Sequence, residues 1–469
     1  MKKGLVWIRR DIRLHDHPAL AASLADNDVT YIVFVFDSNI LDPLKKRDSS
    51  DKRLQFIAAS LYELDSTLKK HSSSLIVHYG DPVQIIPKIC HEKHIDALYF
   101  NRDYSPYPIK RDATVKQLCE SKDVKVKDFQ DHVMFEPQDI LTKEGNPYKV
   151  FTPYSRMWLS SFAEQGSIVQ DFTVSLKKLA NDHKNELNSV NDFLKYAGFS
   201  PAAEMLLGGQ TAAFKQLKMF TAHLDNYHVN RDFPALDKTS KCSVYIRHGC
   251  LSIRDMLRVA LSSKSKGAQV WLNELIWREF YQMILFHYPH CKSEAFNPKY
   301  KDLQFPRSEE LLAAWKAGQT GYPIVDAAMR CLNETGWMHN RLRMIVASFF
   351  CKILLLDWRL GERYFAWKLL DYECASNNGG WQWSSSTGCD AAPYFRIFNP
   401  FSQSKKFDVQ GHFIRKYCPE LATIDLRDLH NPVESKQLPF NFVLGQHYPL
   451  PIVDYKSKRQ EALELFKNA

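Results

Sequence analysis

Residues 371–400 read DYECASNNGGWQWSSSTGCDAAPYFRIFNP. The stretch places large rings among Gly, Asn, Ser and Thr, and these rings belong to Trp381, Trp383, Tyr394, Phe395 and Phe398. It is too polar and too rich in glycine for a core helix, yet too aromatic for an ordinary surface loop. Large rings on a backbone that other groups can approach closely predict a binding site for a planar ligand. The alternative is a structural loop whose tryptophans fill space, because aromatic clusters usually lie in cores.

Length and composition favour a two-domain cytoplasmic protein. A chain of 469 residues exceeds what one hydrophobic core usually supports. It contains no apolar run of about 18 residues that could span a membrane, and Arg9 and Arg10 interrupt the first apolar run before it could serve as a signal peptide. The 10 cysteines include no CxxC pair, so we expect reduced thiols and no metal centre. The sequence His15-Asp16-His17 is explained more simply as a helix N-terminus than as a metal site.

The positive charge lies in the second half of the chain. The net charge is +9, and counting from residue 200 onward gives +8. A basic half predicts a polyanionic partner, and the phosphate backbone of a nucleic acid is the commonest one. A basic surface without such a partner is the alternative.

The first half alternates short apolar runs with helical patterns. The runs lie at residues 5–8, 29–36, 75–79, 97–100 and 124–126, and the helical patterns lie at residues 18–25, 51–70, 82–94 and 109–120. This alternation predicts an α/β domain with a parallel, Rossmann-like sheet whose strands are buried on both faces. No GxGxxG sequence follows the first strand, so the dinucleotide fingerprint is absent. Arg9, Arg10 and Arg13 lie at that end instead, where open α/β sheets bind ligands.

The rest of the chain divides into a connector and a helical half. Residues 131–199 are mixed polar sequence that is too long for an ordinary loop, and we expect them to wrap the surface with some local helix. Pro201 then opens a succession of amphipathic helices. We therefore predict domains at residues 1–130 and 200–469, joined by the connector.

Two segments of the helical half carry residues typical of ligand sites. Residues 227–243, YHVNRDFPALDKTSKCS, end in hydroxyl groups that could bind a phosphate or cap the next helix. In residues 271–281, WLNELIWREFY, helical spacing places Glu274, Trp277 and Arg278 on one face, where they could stack a ring and hydrogen-bond its edge. A surface ion pair between Glu274 and Arg278 is the alternative for this segment.

A third segment, residues 336–358, reads GWMHNRLRMIVASFFCKILLLDW and predicts a buried helix. Asn340 and Met344 lie one turn apart, on a stripe beside its apolar face. Arg341 and Arg343 are costly to bury alone, so each should have an acid or a phosphate as its partner.

Two long blocks together resemble the signature sequences of the DNA photolyase/cryptochrome family. They are residues 320–349, TGYPIVDAAMRCLNETGWMHNRLRMIVASF, and residues 375–400. The resemblance extends over the whole chain and is strongest to the bacterial class I photolyases, which repair cyclobutane pyrimidine dimers in DNA. It implies an α/β antenna-binding domain, the connector, and an all-α domain that binds FAD.

The resemblance implies a light-driven reaction. Excited reduced FAD donates an electron to a dimer flipped out of double-stranded DNA, the cyclobutane bonds break, and the electron returns. The implied catalytic residues are Glu274, Asn377, Trp381 and Trp358, of which the two tryptophans carry electrons to oxidised flavin. The implied protein is a monomer that needs no protein partner and no membrane.

The resemblance also implies binding residues. Those for FAD are Tyr227, Thr239, Ser240, Lys241, Cys242, Ser243, Trp271, Arg278, Arg343, Asp371, Tyr372, Glu373 and Asn377. Those for damaged DNA are Arg231, Glu274, Trp277, Asn340, Arg341, Met344, Trp383 and Arg396. In these assignments Arg343 pairs with Asp371 beside the flavin ring, and Asn377 faces the flavin N5 atom.

The chain departs from the family pattern at three places. Phe305 stands where the third, surface tryptophan of the electron chain is expected, so Trp315 or a nearby tyrosine is the expected substitute. The usual Asp-Gly-Asp beside the flavin reads Asp371-Tyr372-Glu373. Pro108 and Ile109 replace an expected Asn-Glu pair, which leaves the antenna pigment open among a folate, a deazaflavin and none.

Other functions within the family are the alternatives. A cryptochrome-type photoreceptor would bind FAD and signal without repairing DNA. The (6-4) photolyases typically have a second His directly after the first, whereas His339 is followed by Asn340 here. The presence of Trp277 and Met344 also makes a member of the DASH branch less consistent with this sequence. Glu274 and Trp383 also favour dimer repair.

Overall fold

The computed structural model describes residues 1–181, 185–202, 207–390, 396–435 and 437–467. Tyr394 and Phe395 lie outside these ranges, as do residues 203–206 of the helix predicted from Pro201. The chain forms two compact units. Unit 1 comprises Met1–Pro147, Pro153–Asp225 and Ser240–His287, and unit 2 comprises Tyr148–Thr152, Asn226–Thr239 and Tyr288–Ala469.

Unit 1 contains a five-stranded parallel sheet with strand order β3-β2-β1-β4-β5. The strands are β1 (Lys3–Ile8), β2 (Val29–Asp37), β3 (Leu75–Gly80), β4 (Ala97–Asn101) and β5 (Lys125–Phe129). The helices before residue 288 are α1 (Pro18–Asp26), α2 (Ser38–Lys45), α3 (Lys52–Lys70), α4 (Pro82–Lys93), α5 (Pro106–Glu120), α6 (Phe151–Glu164), α7 (Val190–Ala197), α8 (Gln210–Thr221), α9 (Tyr227–Asn230), α10 (Ser243–His248), α11 (Ile253–Leu261) and α12 (Lys266–His287). The predicted α/β fold class is confirmed.

The edges of the sheet depart from the predicted burial. The central strand β1 is buried along nearly its whole length, as a strand covered by helices on both faces should be. The edge strands β3 and β5 are mostly half-buried, and Lys125 and Lys127 of β5 are exposed. Charged residues on an edge strand oppose pairing with another chain. The expectation that every strand is buried on both faces is therefore wrong for the edge strands β3 and β5.

Buried ion pairs hold the carboxyl end of β1. The Arg13 guanidinium lies 2.5 Å from Asp131, and Arg254 lies 2.6 Å from Asp131 and 3.0 Å from Asp16. Although burial opposes ionisation, the two guanidinium groups hold the pKa of Asp131 well below its usual value. Arg13, one of the three arginines predicted at a ligand-binding edge, therefore has a structural role. His17 is the N-cap of α1 and accepts a hydrogen bond from the Leu20 amide, as its sequence context predicted.

Unit 2 is helical. Its helices beyond residue 288 are α13 (Glu309–Ala317), α14 (Pro323–Thr335), α15 (Asn340–Lys352), α16 (Trp358–Lys368), α17 (Cys374–Ser385), α18 (Pro400–Phe407), α19 (His412–Tyr417), α20 (Leu426–Leu429) and α21 (Tyr455–Lys467). One apolar cluster fills its centre, and α15 contributes fully buried Leu342, Val346 and Phe349 to it. Trp315, Trp358 and Trp381 lie in the same cluster.

Part of the stretch at residues 371–400 forms a helix. This corrects the prediction from its composition that the stretch is too polar and too rich in glycine for a core helix. Residues 374–385 are α17, and Asn378 and Gln382 are buried within it. Gln382 donates to the carbonyls of Cys291 at 2.8 Å and Glu294 at 3.1 Å, and its Oε1 accepts from the Phe296 amide at 2.8 Å. Because each buried amide group has a partner, a polar helix can lie in the core.

The sequence also led us to expect reduced cysteines, no metal centre and no membrane span. All 10 cysteines are free thiols. Within the described ranges, no group of three His, Cys, Asp or Glu side chains could hold a metal ion. No helix in the described part of the chain has both the length and the apolar character needed to cross a membrane.

Gly361→Ala should destabilise unit 2. A Cβ atom at Gly361 in α16 would lie 2.2 Å from the Trp381 ring, so the indole would have to move. Overpacking of this kind costs about 1–3 kcal/mol. Gly380→Ala in α17 is the matched control, since no atom of the described residues lies within 4 Å of its added Cβ, and it should be neutral or stabilising by up to about 1 kcal/mol. Urea unfolding of both variants measures this, and equal effects would contradict the packing argument.

Candidate functional site

In unit 2, the two arginines of α15 have acidic partners, as the sequence predicted. Arg343 lies 2.8 Å from Asp371, and Arg341 lies 2.7 Å from Asp232. Asp371 is buried, so the Arg343 guanidinium offsets the cost of removing its charge from water. Arg343 also donates to the Met338 carbonyl at 2.8 Å, which fixes its side chain beside the start of α15.

His339 is the N-cap of α15. Its Nδ1 accepts a hydrogen bond from the Arg341 amide at 3.2 Å, while its buried Nε2 has no hydrogen-bond partner among the described residues. Burial, together with nearby Arg341 and Arg343, lowers its pKa to about 4, despite the opposing effect of Asp232. The imidazole is therefore neutral at pH 7.

Asn377 lies in α17 and is oriented by Glu362 of α16. Its Nδ2 donates to the Glu362 carbonyl oxygen at 3.1 Å and to the Glu362 carboxylate at 2.8 Å. Both amide protons are thereby used, so the Oδ1 atom is available as an acceptor. Burial raises the pKa of Glu362. The sequence did not single out Glu362, because its partner lies 15 residues away on another helix.

Trp381 lies among the rings of the unit 2 core. Its ring centroid is 6.0 Å from Trp315, 5.5 Å from Phe350 and 5.0 Å from Phe365. Trp315 in turn lies 5.6 Å from Tyr364. The implied electron carriers Trp381 and Trp358 are both almost fully buried, and Phe305 is partly buried against the same core.

The other candidate residues of unit 2 lie on α9, α15, α17 and the segments beside them. The Arg231 guanidinium lies 5.6 Å from the Tyr227 ring centroid. Asn340 is exposed and its Nδ2 lies 4.0 Å from the Met344 sulfur. Trp383 is half-buried near the end of α17, and Arg396 is exposed. Glu373 is the N-cap of α17 and, like Tyr372, stands beside Asp371 in the chain.

In unit 1, helix α12 carries the predicted stripe. Glu274, Trp277 and Arg278 are half-buried, and the Trp277 ring packs against Tyr281 in a tilted arrangement, with centroids 5.4 Å apart and an angle of 36° between the ring planes. Arg278 donates to the His132 carbonyl at 2.5 Å. Trp271 lies deeper, with its ring 4.8 Å from Phe220.

Glu279 of α12 was missed by the sequence reasoning. Its carboxylate is buried and accepts hydrogen bonds from the Met134 amide at 2.7 Å, the Phe135 amide at 3.1 Å and the Trp158 indole at 2.7 Å. Burial raises its pKa to about 7. The available signal was an acid on the apolar stripe of α12. The residue fixes the chain after β5 to the helix that carries Trp277 and Arg278.

One hydroxyl of the segment that ends in hydroxyl groups bonds the start of the next helix. The N-cap of α10 is Cys242, which makes no side-chain capping bond of its own, but its amide donates to Ser240 Oγ at 3.4 Å. Cys242 is buried, and burial raises its pKa to about 12. Lys241 has φ +51°, the left-handed region, and precedes Cys242 and Ser243. In unit 2, Thr239 Oγ1 is a buried atom with no hydrogen-bond partner among the described residues.

The chain thus combines an α/β sheet unit with a helical unit built around buried tryptophans. Residues 4–173 match the family model for DNA photolyase, and residues 271–468 match the FAD binding domain of DNA photolyase. The chain belongs to the DNA photolyase family.

Known proteins are similar to this chain along its whole length. The deoxyribodipyrimidine photo-lyase of Alkalihalophilus pseudofirmus is 38% identical and covers 98% of this chain and 97% of its own. The deoxyribodipyrimidine photo-lyase of Escherichia coli is 38% identical and covers 100% of this chain and 99% of its own. The crystal structure of a bacterial class III photolyase from Agrobacterium tumefaciens has a TM-score of 0.87 and 32% identity, covering 100% of this chain and 98% of that one.

The residues of unit 2 fit FAD. Thr239 Oγ1 and His339 Nε2 are buried polar atoms without partners among the described residues, and each can bond a polar atom of a cofactor. Asn377 presents an oriented, uncharged amide, and the Arg343–Asp371 pair presents fixed charges. Together these groups supply both donors and acceptors, which the polar atoms of FAD require.

His339→Asn should reduce the acid sensitivity of the fold. An unfolded His binds a proton below its ordinary pKa of 6.5, whereas folded His339 does so only near 4. The folded state therefore loses stability as pH falls through this window, by about 2 kcal/mol at about pH 5. Asn keeps a capping oxygen and does not titrate.

Urea unfolding at pH 7 and pH 5 measures the effect. The loss of unfolding free energy between the two should be about 2 kcal/mol smaller in His339→Asn than in the parent protein. His412→Asn, at an exposed position, should lose as much as the parent. Equal losses in all three proteins would contradict the assignment.

Proposed function

We propose that this protein is a deoxyribodipyrimidine photo-lyase that repairs cyclobutane pyrimidine dimers in DNA under light. The observation that carries the proposal is the full-length similarity to proteins of that name, together with a site whose residues fit FAD. Bound reduced FAD supplies the light-driven electron that splits the dimer. The protein binds the cofactor and the DNA, orients them and excludes water.

We propose for FAD binding the residues that the family resemblance implies, and we describe each by its own contacts. Arg343 and Asp371 hold fixed charges beside the ring, and Asn377 offers its Oδ1 atom because Glu362 engages its Nδ2. Thr239 and residues 240–243 supply hydroxyl and backbone groups for the phosphates. Tyr227, Trp271, Arg278, Tyr372 and Glu373 complete the proposed set.

The DNA contacts are proposed on the same basis. Helix α12 presents Glu274 to hydrogen-bond the dimer and Trp277 to stack on it, and in unit 2 Asn340, Met344 and Trp383 serve recognition. Phosphates would be bound by three arginines, Arg231, Arg341 and Arg396. A dimer stacks poorly in the duplex, so flipping it out of double-stranded DNA costs less than flipping an intact base.

The remaining assignments concern organisation. We propose an antenna-binding domain at residues 1–130, a connector at 131–199 and a catalytic domain at 200–469. We propose a cytoplasmic monomer without an obligate protein partner. Pro108 and Ile109 lie in the first turn of α5, and a folate or a deazaflavin is the proposed class of antenna where one is bound.

We propose Trp381 and Trp358 as the inner carriers that reduce oxidised cofactor. Phe305 is a poor electron donor, so the third carrier must differ from the family pattern. The contact between Trp381 and Trp315 at 6.0 Å, and between Trp315 and Tyr364 at 5.6 Å, supports Trp315 and Tyr364 for that role.

Light-dependent repair is the central test. The purified protein should show a flavin absorption spectrum, and after reduction it should remove thymine dimers from an oligonucleotide under blue light but not in the dark. A flavin-containing protein that leaves dimers intact under light would retain the cofactor assignment and refute the repair activity.

Trp277→Ala should weaken binding to dimer-containing DNA. Stacking of a base on an aromatic ring is worth about 1–3 kcal/mol, so the dissociation constant should rise by about 5- to 150-fold. Trp367→Ala is the control, because Trp367 is an exposed tryptophan outside the proposed DNA contacts. Fluorescence anisotropy with a labelled oligonucleotide measures both. Unchanged affinity in Trp277→Ala would remove α12 from the proposed DNA surface.

A further inference from the structure

Helix α15 carries four residues at successive four-residue spacing, Asn340, Met344, Ser348 and Lys352. Residues at this spacing lie along one stripe of a helix. Asn340 is exposed and Met344 is half-buried, whereas Ser348 and Lys352 are buried. The stripe therefore runs from the proposed DNA contacts into the interior of unit 2.

The buried end of the stripe holds two segments that flank residues 387–395. Lys352 Nζ donates to Ser386 Oγ at 2.8 Å and to the Arg396 carbonyl at 2.6 Å. Ser348 Oγ accepts from the Phe398 amide at 3.3 Å. Ser386 is the C-cap of α17, so Lys352 bonds both the end of the helix that carries Trp383 and the backbone of Arg396.

The cost of burying Lys352 argues that its ammonium group has a specific use. The side chain is 2% exposed, and burial lowers its pKa to about 8. The adjacent Cys351 thiol is also buried, and burial raises its pKa, so it stays neutral. The recess lined by Lys352, Trp383 and Arg396 has a volume of about 10 Å³, enough for about one water molecule. An apolar side chain of the same length could take the place of the Lys352 side chain without the cost of removing a charge from water. It could not bond Ser386 and Arg396.

We propose that Lys352 is a positioning residue for DNA binding. It fixes Arg396 and the Trp383 end of α17 relative to Asn340 and Met344 on its own helix. This inference rests on the proposed function, because it assigns Lys352 a role through residues proposed to bind DNA. Lys352 itself does not touch the substrate.

The test is the affinity of flavin-loaded protein for an oligonucleotide with one thymine dimer. Lys352→Met should raise the dissociation constant by about tenfold, since loss of positioning weakens the contacts made through Arg396 and Trp383. In repair assays it should raise KM and leave the rate at saturating DNA unchanged. Lys456→Met removes an exposed lysine of α21 and is the charge-matched control, with affinity within about twofold of the parent.

A double-mutant cycle separates positioning from general destabilisation. If Lys352 acts through Arg396, then Lys352→Met should change affinity by less than about threefold in an Arg396→Ala background. Full additivity in the cycle, or unchanged affinity in Lys352→Met, would overturn the inference. Should Lys352→Met not fold, Ser386→Ala removes one of the two acceptors, and unchanged affinity in that variant would overturn it equally.

The failure of the proposed function gives a different result. In that case the parent protein itself would bind dimer-containing and intact oligonucleotides with equal affinity, and it would not repair the dimer under light. A parent protein that prefers and repairs the dimer, with an Arg396→Ala variant of unchanged affinity, would leave the repair function in place and overturn the role of Lys352.

Discussion

The ion pair between Arg343 and Asp371 joins the first turn of α15 to the turn that precedes α17. Asp371 is buried, so its carboxylate is tolerable only with the guanidinium beside it. Removing one partner of such a pair usually costs about 3–5 kcal/mol. Since α15 carries Asn340 and Met344 and α17 carries Asn377, this pair sets the separation of helices on which the proposed chemistry of unit 2 depends.

Two polar groups on the helices that this ion pair joins carry no charge. Burial keeps His339 uncharged at pH 7, and Asn377 is an amide whose orientation Glu362 determines. Burial raises the pKa of Glu362, which disfavours a further negative charge next to Asn377. A flavin bound beside His339 and Asn377 would meet oriented, uncharged hydrogen-bonding groups there. Because the surrounding core has low polarity, each hydrogen bond that these groups make is stronger than it would be in water.

Local pattern was enough to predict the fold class, the helices α1, α3, α4, α5, α12 and α15, and an anionic partner for each of Arg341 and Arg343. Strand and helix periodicity depends on neighbours in the chain, and a buried guanidinium requires an anion wherever the fold supplies one. The roles of Glu279, Glu362 and Lys352 could not be predicted, because their partners are distant in sequence. Glu279, for example, bonds a backbone amide 145 residues away. The helical state of residues 374–385 was missed for the same reason, since the carbonyl groups that satisfy Gln382 belong to a remote segment.

The glycines of this region separate two physical requirements. Gly361 gives the Trp381 ring its place in the core, because any Cβ there would collide with the indole. No such contact explains Gly380, although an internal helical glycine costs about 1 kcal/mol relative to alanine. Packing among the described residues therefore accounts for Gly361 and not for Gly380. The first expectation from the sequence, that a planar ligand approaches the backbone closely at this stretch, stays a prediction. Helix α17 thus has one side defined by tryptophan packing and another side that the described residues leave open.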